Sequence, residues 1–233
     1  TDITKSAMLG FFNPFVYYIA IFWSYDLLPA QIAQPLNYTW PLMIVLFSIP
    51  MLKQKVGLKI LSAFVLSIVG VVLISSQGNL STYSMANPIG VSLALGSSVI
   101  WAFYWVLNVK DKRDEVVKLF MGFVFGTFFC LIALVLFSSF SIPIQIKTVS
   151  LVYIGLFEMG FTFVLWLKAM HLTSSNAKIG NLVYFSPFVS LVFIHYLVGE
   201  KIYFTTVAGL ILIVSGIILN QYHSFKAKNK LSL

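Results

Sequence analysis

Leu36-Asn-Tyr-Thr-Trp-Pro41 has a near copy, Leu182-Val-Tyr-Phe-Ser-Pro187, 146 positions further along the chain. Both stretches follow the pattern Leu-x-Tyr-x-x-Pro inside long apolar runs, and eight identities fall among positions 36 to 73 at this offset. Single matches between apolar helices are common by chance, so the ordered set is what indicates two copies of one membrane unit. The other aligned pairs are Phe47 with Phe193, Lys55 with Lys201, Leu66 with Leu212, Gly70 with Gly216, Leu73 with Leu219 and, at an offset of 145, Gly10 with Gly155, Phe12 with Phe157 and Leu27 with Leu172.

The composition is that of an integral membrane protein. Hydrophobic residues make up 59% of the chain, charged residues 9%, and the mean hydropathy is +0.94, whereas a soluble domain has about 45–50% apolar residues. A membrane-spanning helix needs roughly 20 mostly apolar residues. Eight such runs, without the alternation of membrane barrel strands, predict an all-α polytopic helical bundle. The runs cover residues 6–24, 28–50, 57–75, 87–107, 116–138, 149–168, 176–197 and 203–222.

The basic residues are distributed unequally over the loops. A net charge of +8 would suit nucleic acid, but nearly every basic residue lies in a short loop beside an apolar run, so we predict no nucleic-acid partner. Taking the loops alternately, thirteen basic residues lie on one side, and only Lys147 and Lys201 lie on the other. The positive-inside tendency then places both ends of the sequence on the cytoplasmic side of the cell membrane. The thirteen are Lys5, Lys53, Lys55, Lys59, Lys110, Lys112, Arg113, Lys118, Lys168, Lys178, Lys226, Lys228 and Lys230.

The first three runs align with the last three, so the repeat has a period of five spans. An odd period inverts the second copy, as in transporters that work by alternating access. The fourth and fifth runs have no counterparts before the first run, and the sequence begins with Thr1. We therefore expect ten spans in the intact protein, of which eight are visible; a true eight-helix protein is the alternative. The expected domains are residues 1–80 (three helices of the first repeat), 87–222 (a complete second repeat) and 223–233 (a basic cytoplasmic tail).

Glu158 is the most unusual acid, because it lies near the middle of the sixth run. An ionised side chain at that depth costs on the order of several kcal/mol unless it is paired or hydrated. Burial would favour the protonated form, so the residue is a candidate proton carrier or a partner for an amine substrate. A neutral carboxyl that hydrogen-bonds two helices together is the alternative. Its repeat partner is the neutral Asn13.

Polar residues at helical spacing mark the second and seventh runs. Gln31, Gln34, Tyr38 and Pro41 share one helical face, and the seventh run has a matching arrangement. Such residues can line a water-filled path or hydrogen-bond between helices. The residues that we expect to line a substrate cavity are Gln34, Tyr38, Asn181 and Tyr184, with His195 as a weaker candidate.

Paired prolines and glycines recur inside the apolar runs. Pro41 and Pro187 each remove a backbone hydrogen bond and bend a helix, which makes them candidate hinges; a fixed bend is the alternative. Gly70 and Gly216 permit helices to approach closely.

Three further expectations concern the ends of the runs. Trp101, Tyr104 and Trp105 are expected to form an interfacial aromatic belt at the cytoplasmic end of the fourth run, with a binding site as the alternative. Asp26 and Glu200 lie at run ends, where solvated loop acids are expected.

The motifs at the ends of the repeats resemble the drug/metabolite transporter superfamily, and specifically its EamA-like permeases. The proline motif ending at Pro187 is followed by Gly199-Glu200-Lys201 and then by Gly209 and Gly216 in the last run. The second repeat opens with a small-residue stretch and Trp101-Ala-Phe-Tyr104, similar to the family's start. In the first repeat, Gln54 stands where the family usually has Glu. The resemblance implies two inverted five-helix repeats around a central cavity, and a secondary transporter that often exports amino acids, other metabolites or drugs.

We therefore predict a transporter that moves small organic metabolites outward through the lipid bilayer, with proton coupling as a further expectation. A nucleotide-sugar or sugar-phosphate carrier is the alternative, although few intramembrane Lys or Arg residues are available to bind phosphate. A membrane-embedded enzyme is disfavoured, since the sequence offers no catalytic grouping, metal motif or phosphate-binding loop, and we predict no catalytic residue, metal or cofactor. A non-transporting scaffold has no need of two oppositely oriented copies.

Overall fold

The computed structural model of the chain describes residues 2–52, 59–78, 86–137, 146–162, 165 and 183–230. Within those ranges the chain forms eight helices and no strand, and each helix overlaps one of the eight predicted runs. The helices are α1 (Asp2–Leu27), α2 (Ala30–Asn37 continued by Trp40–Leu52), α3 (Lys59–Ser75), α4 (Pro88–Lys110), α5 (Glu115–Phe137), α6 (Ile146–Tyr153 continued by Ile154–Thr162), α7 (Ser186–Val198) and α8 (Phe204–Lys230).

The helices have the length and surface of membrane spans. Helices α1, α2, α4 and α5 are each long and apolar enough to cross a bilayer, and the other four contain shorter apolar stretches. On α5, Phe120 is 65% exposed and Phe137 is 86% exposed, a surface that suits lipid rather than water. The chain is therefore an all-α, multi-pass membrane protein, as the sequence predicted.

Local sequence sets several helix ends. Asn87 caps α4, because its Oδ1 accepts hydrogen bonds from the backbone N–H groups of Ile89 and Gly90 at 3.0 and 3.2 Å. Asp114 caps α5 in the same way. Helix α7 ends at Gly199, whose φ of +80° is a conformation that glycine adopts without steric cost.

The chain divides into two compact units, residues 1–130 with 189–233 and residues 131–188. In the first unit, α4 packs against α1 and α2, and α3 packs along α8. In the second unit, Tyr153 and Phe157 stack at 4.8 Å between ring centroids, and Phe161 follows on the same side at 5.7 Å. All three rings are exposed.

Helices α3 and α8 approach each other at glycines. A Cβ on Gly70 would lie 2.5 Å from the carbonyl oxygen of Gly209, and one on Gly216 would lie 2.7 Å from the carbonyl oxygen of Ala63. The two contacts are related by the sequence repeat, since Gly70 corresponds to Gly216 and Ala63 to Gly209 at an offset of 146. The predicted role of Gly70 and Gly216 in close helix packing is confirmed.

A turn precedes each of the two motif prolines at equivalent positions. In α2, a turn at Tyr38 and Thr39 separates Ala30–Asn37 from Trp40–Leu52. Before α7, a 3-10 turn precedes Ser186–Phe193. In each case the proline, Pro41 or Pro187, is the second residue of the new segment, where its missing N–H removes no intrahelical bond. The turns therefore lie just before the prolines, and the prediction that each proline removes a hydrogen bond inside its helix is wrong.

An irregular helical segment occurs in both copies. In α1 it is a break within Phe11–Val16, and in α6 it is the π-helical stretch Ile154–Thr162; the two ranges overlap at the repeat offset of 145. Inside the first segment, Asn13 is extended, with φ −144° and ψ 120°, so α1 is broken in the middle of the span. A Cβ on Gly126 of α5 would collide with the ring of Pro14, so a glycine on α5 makes room for the break.

Candidate functional site

One face of α4 carries polar and aromatic side chains in an otherwise apolar helix. Ser97, Trp101, Tyr104 and Asn108 follow spacings of four, three and four residues, which place them on a single helical face. Ser97, Tyr104 and Asn108 are buried, and Trp101 is half-buried. These four residues form what we call the α4 stripe.

The N-terminal part of the α4 stripe, Ser97 and Trp101, contacts α1 and α2. Asn37 of α2 donates from Nδ2 to the hydroxyl of Ser97 at 2.8 Å, and its Oδ1 accepts from the hydroxyl of Tyr17 at 3.4 Å. The ring of Tyr17 also lies against the ring of Trp101, with 4.7 Å between centroids. Three helices thus converge on one layer of hydrogen bonds and aromatic contacts.

One helical turn further along α4, Tyr104 meets the broken part of α1. The Tyr104 hydroxyl is hydrogen-bonded to the side chains of Asn13 and Asn108, and the Tyr104 and Trp101 rings lie 6.0 Å apart. Asn13 is only 2% exposed, and its Oδ1 has no hydrogen-bond partner among the described residues. An enclosed acceptor without a donor is costly, so this atom is a point where a ligand could bind.

The α4 stripe and its partners Asn13, Tyr17 and Asn37 form a cluster without formal charge. Amide and hydroxyl groups can hydrogen-bond a ligand, and the indole and phenol faces can stack on a planar group or attract a cation. The cluster offers no Lys or Arg to hold a phosphate. Among the described residues, no group of three or more His, Cys, Asp or Glu side chains could hold a metal ion.

The residues predicted to line a cavity occupy different settings. Gln34 lies on α2 one turn before Asn37, and its Oε1 is enclosed without a hydrogen-bond partner in the part of the chain that the structure describes. Tyr38 and Tyr184 are both 7% exposed; Tyr38 lies in the turn within α2 and Tyr184 in the 3-10 turn before α7. Asn181 lies outside the described residues.

Glu158 differs from the expectation of a buried acid. It lies in the π-helical segment of α6 and its side chain is exposed, whereas its repeat partner Asn13 is buried.

The expected aromatic belt on α4 is wrong for Tyr104, which is only 3% exposed. Trp101 and Trp105 are half-buried. The reason is position, since residues 101 and 104 lie just past the middle of Pro88–Lys110 and face α1. The spacing of the α4 stripe was the signal in the sequence that would have identified this face. Tyr17 and Asn37 were missed because their partners are far away in sequence.

The interpretation of Glu200 as a solvated loop acid is also wrong, whereas Asp26 is exposed as predicted. The Glu200 carboxylate accepts hydrogen bonds from the backbone N–H groups of Ala30 and Gln31 at 2.8 and 3.0 Å. These are the first residues of α2, whose preceding residue, Pro29, provides no side-chain cap. Glu200 therefore supplies the missing cap from the loop between α7 and α8, where the partial positive charge of the helix end favours an anion.

Gln31 completes the same connection. Its Nε2 donates to the carbonyl of Lys201 at 2.9 Å, and its Oε1 accepts from the backbone N–H of Tyr203 at 3.0 Å. Gln31 is therefore fixed by the α7–α8 loop. His195 is exposed, with Nδ1 2.9 Å from the carbonyl oxygen of Glu200.

A second group of charges lies where α4 ends and α1 begins. The Arg113 guanidinium forms an ion pair with Asp111 at 2.6 Å and donates hydrogen bonds to the Ser6 hydroxyl at 2.7 Å and the Asp2 carbonyl at 3.0 Å. The hydrogen bonds from Arg113 hold the pKa of Asp111 below its ordinary value, and the same contact raises the pKa of Arg113. This group fastens the start of α1 to the α4–α5 loop.

Known proteins with similar sequences are transporters or exporters by name. An uncharacterized transporter of Archaeoglobus fulgidus is 30% identical over 72% of this chain and 60% of its own length. The aromatic amino acid exporter YddG of Escherichia coli is 26% identical over 78% of this chain and 64% of its own length. The chain thus spans somewhat less than two thirds of these relatives.

The fold has a counterpart among solved structures. A protein of known crystal structure superposes with a TM-score of 0.61 over 95% of this chain and 77% of its own, at 21% identity. The model of the EamA-like transporter family matches this sequence twice, over residues 2–76 and 88–222. Those two matches cover nearly the whole sequence and all eight helices, so the chain belongs to the EamA-like transporter family.

Proposed function

We propose that the protein is a secondary transporter that moves small organic metabolites out of the cell across the cytoplasmic membrane. The observation that carries this proposal is the neutral polar and aromatic cluster around the α4 stripe, enclosed by apolar helices. Polar groups inside a membrane bundle are expensive unless they serve packing or a transport path. Here two enclosed acceptors, on Asn13 and Gln34, have no partner among the described residues, which favours a path.

The mechanism that we propose is alternating access by two inverted repeats. Residues 1–80 hold part of the first repeat, residues 87–222 the second, and residues 223–233 a basic tail on the cytoplasmic side. Three features support two copies: the turns before Pro41 and Pro187, the irregular segments of α1 and α6, and the paired glycine contacts between α3 and α8.

We assign substrate contacts to Gln34, Tyr38, Asn181 and Tyr184, and hinges to Pro41 and Pro187. Tyr38 lies in the turn within α2 and Tyr184 in the 3-10 turn before α7, and a bend at either turn would change the position of the ring. The break at Asn13 in α1 and the π-helical stretch in α6 provide further weak points, which suits helices that have to bend during transport.

The exported molecule is proposed to be an amino acid or a related amine. The similar exporter of Escherichia coli acts on aromatic amino acids by name, and the cluster offers aromatic faces and amides. A nucleotide-sugar or sugar-phosphate carrier is the second candidate. It ranks lower because the cluster is neutral, and Lys168 and Lys178, which could bind phosphate, lie outside the described residues.

Transport into inverted membrane vesicles tests the proposal. The full-length protein is offered labelled phenylalanine, lysine, phenethylamine and UDP-glucose in separate assays. We expect saturable accumulation of at least one amino acid or amine above vesicles that lack the protein. Accumulation of UDP-glucose alone would favour the second candidate, and no accumulation of any compound would contradict transport of these classes.

Proton coupling through Glu158 is tested in the same vesicles. If Glu158 carries the coupling proton, Glu158→Gln removes the acceleration that a pH gradient gives to transport, because the amide cannot take up a proton. Glu115→Gln makes the same change at the exposed start of α5 and should leave the acceleration intact. Equal acceleration in wild type and Glu158→Gln would exclude this role.

A further inference from the structure

The break in α1 places an amide oxygen where an incoming ligand can use it. Asn13 is 2% exposed, and its Oδ1 has no partner among the described residues although the side chain is hydrogen-bonded to Tyr104. The backbone of Asn13 is extended, with φ −144° and ψ 120°. In a regular helix the side chain of Asn13 would point in another direction. Non-helical backbone at membrane depth is tolerated where it is buried in protein or lines a cavity.

We propose that Asn13 Oδ1 is the acceptor for a primary ammonium group of the transported molecule. The inference rests on the proposed transport function and names the group by which the substrate is recognised. An unpaired oxygen requires an N–H or O–H donor. The same oxygen would repel an anionic ligand, and the surrounding cluster has no cation to offset that repulsion.

The neighbouring aromatic rings favour a cationic donor, such as an ammonium group, over a neutral hydroxyl. Trp101 lies between Tyr17 and Tyr104, with centroid distances of 4.7 and 6.0 Å. An ammonium within about 6 Å of an indole or phenol face is attracted by the ring, most strongly when water is excluded. A neutral hydroxyl gains the hydrogen bond to Asn13 but not this attraction.

Access to the site requires α1 to move. Because Asn13 Oδ1 is enclosed, a ligand reaches it only when the broken part of α1 separates from α4. The interruption of α1 at Asn13 is the position where the helix can bend without breaking further backbone hydrogen bonds. The enclosed geometry is therefore the one expected of a site that opens and closes during transport.

Binding by three compounds of similar size tests the inference: phenethylamine (a cation), 2-phenylethanol (a neutral donor) and phenylacetate (an anion). The full-length protein in lipid nanodiscs is titrated at pH 7 by calorimetry. We expect phenethylamine to bind most tightly and Asn13→Ala to raise its Kd about tenfold, as for the loss of one charge-assisted hydrogen bond. Asn13→Asp keeps an acceptor oxygen and should bind phenethylamine at least as tightly as the wild type. Asn87→Ala, the same loss of an amide at the cap of α4, should leave the Kd unchanged.

The outcomes separate this inference from the proposed function. Failure of phenethylamine to bind, tightest binding of phenylacetate, or an unchanged Kd in Asn13→Ala would each overturn the inference. It would also fall if Asn13→Asp bound as weakly as Asn13→Ala, since a retained acceptor would then make no difference. If phenethylamine binds as expected but vesicles show no flux, only the proposed transport function is contradicted. If vesicles show flux but the ammonium compound does not bind, only the assignment of Asn13 is contradicted.

Discussion

Glu200 accepts a hydrogen bond from the backbone N–H of Gln31 at 3.0 Å, although the two residues are 169 positions apart. The second carboxylate oxygen accepts from the N–H of Ala30 at 2.8 Å. The side chain of Gln31 in turn donates a hydrogen bond to the carbonyl of Lys201 and accepts one from the backbone N–H of Tyr203. The loop that follows α7 is thereby fastened to the first turn of α2.

Removal of this cap should destabilise the protein. We expect Glu200→Ala to lower the free energy of unfolding by about 1–2 kcal/mol, because two N–H groups at the start of α2 lose their partner. Glu200→Gln retains one acceptor oxygen and should lose less. Asp26→Ala removes an exposed acid from the end of α1 and serves as the matched control. Denaturant titration in detergent micelles measures all three, and equal stability of Glu200→Ala and Asp26→Ala would show that the cap contributes nothing.

The glycine contact between α3 and α8 should be intolerant of a methyl group. A Cβ on Gly209 would lie 2.5 Å from the carbonyl oxygen of Gly70, so Gly209→Ala must push the two backbones apart, at a cost of about 1–3 kcal/mol. A Cβ on Gly96 of α4 would meet no atom within 4 Å. Gly96→Ala should therefore be neutral or raise stability by up to about 1 kcal/mol through helix propensity. Thermal unfolding of the two variants measures the difference, and the same Tm in both would argue against close packing.

Trp101 should matter for transport far more than an exposed tryptophan. Its ring contacts Tyr17 and lies on the α4 stripe, whereas Trp23 is 54% exposed on α1. We expect Trp101→Ala to reduce kcat/KM for a transported amine at least about tenfold, since ring stacking and cation attraction worth about 1–2 kcal/mol are lost. Trp23→Ala should stay within about twofold of wild type. Similar losses in both variants would mean that Trp101 acts through the stability of the fold alone.

The ion pair of Asp111 with Arg113 should give stability a dependence on acidic pH. Arg113 lowers the pKa of Asp111 in the folded protein, so the carboxylate is favoured by folding. Its contribution is fully present above the unfolded-state pKa of about 3.9 and is lost as the pH falls through the lower folded-state pKa. Unfolding measured between about pH 2 and 6 should show this loss, and Asp111→Asn should flatten that part of the curve. The same slope in wild type and Asp111→Asn would assign the acid sensitivity to other carboxyls.

The sequence by itself determined the class of the protein and the positions of its helices. Lengths of apolar runs depend only on neighbouring residues, and a helix satisfies its own backbone in lipid, so the eight described helices lie where hydropathy placed them. The repeat motif also located the turns before Pro41 and Pro187, because proline is favoured at the start of a helical segment. Gly70 and Gly216 were identified from their spacing, since small residues at helix contacts are a general requirement of close packing.

Only the tertiary structure decided which faces of these helices meet. Tyr104 resembles a belt residue in sequence and is buried because α1 lies over it, and Glu200 resembles a loop acid until the start of α2 is seen beside it. Glu158 lies in a run that predicted burial, yet its side chain is exposed. In each case the setting depends on residues outside the local sequence. Helix periodicity defines the faces of each helix, but rotation about its axis is fixed by packing against helices that are distant in the chain.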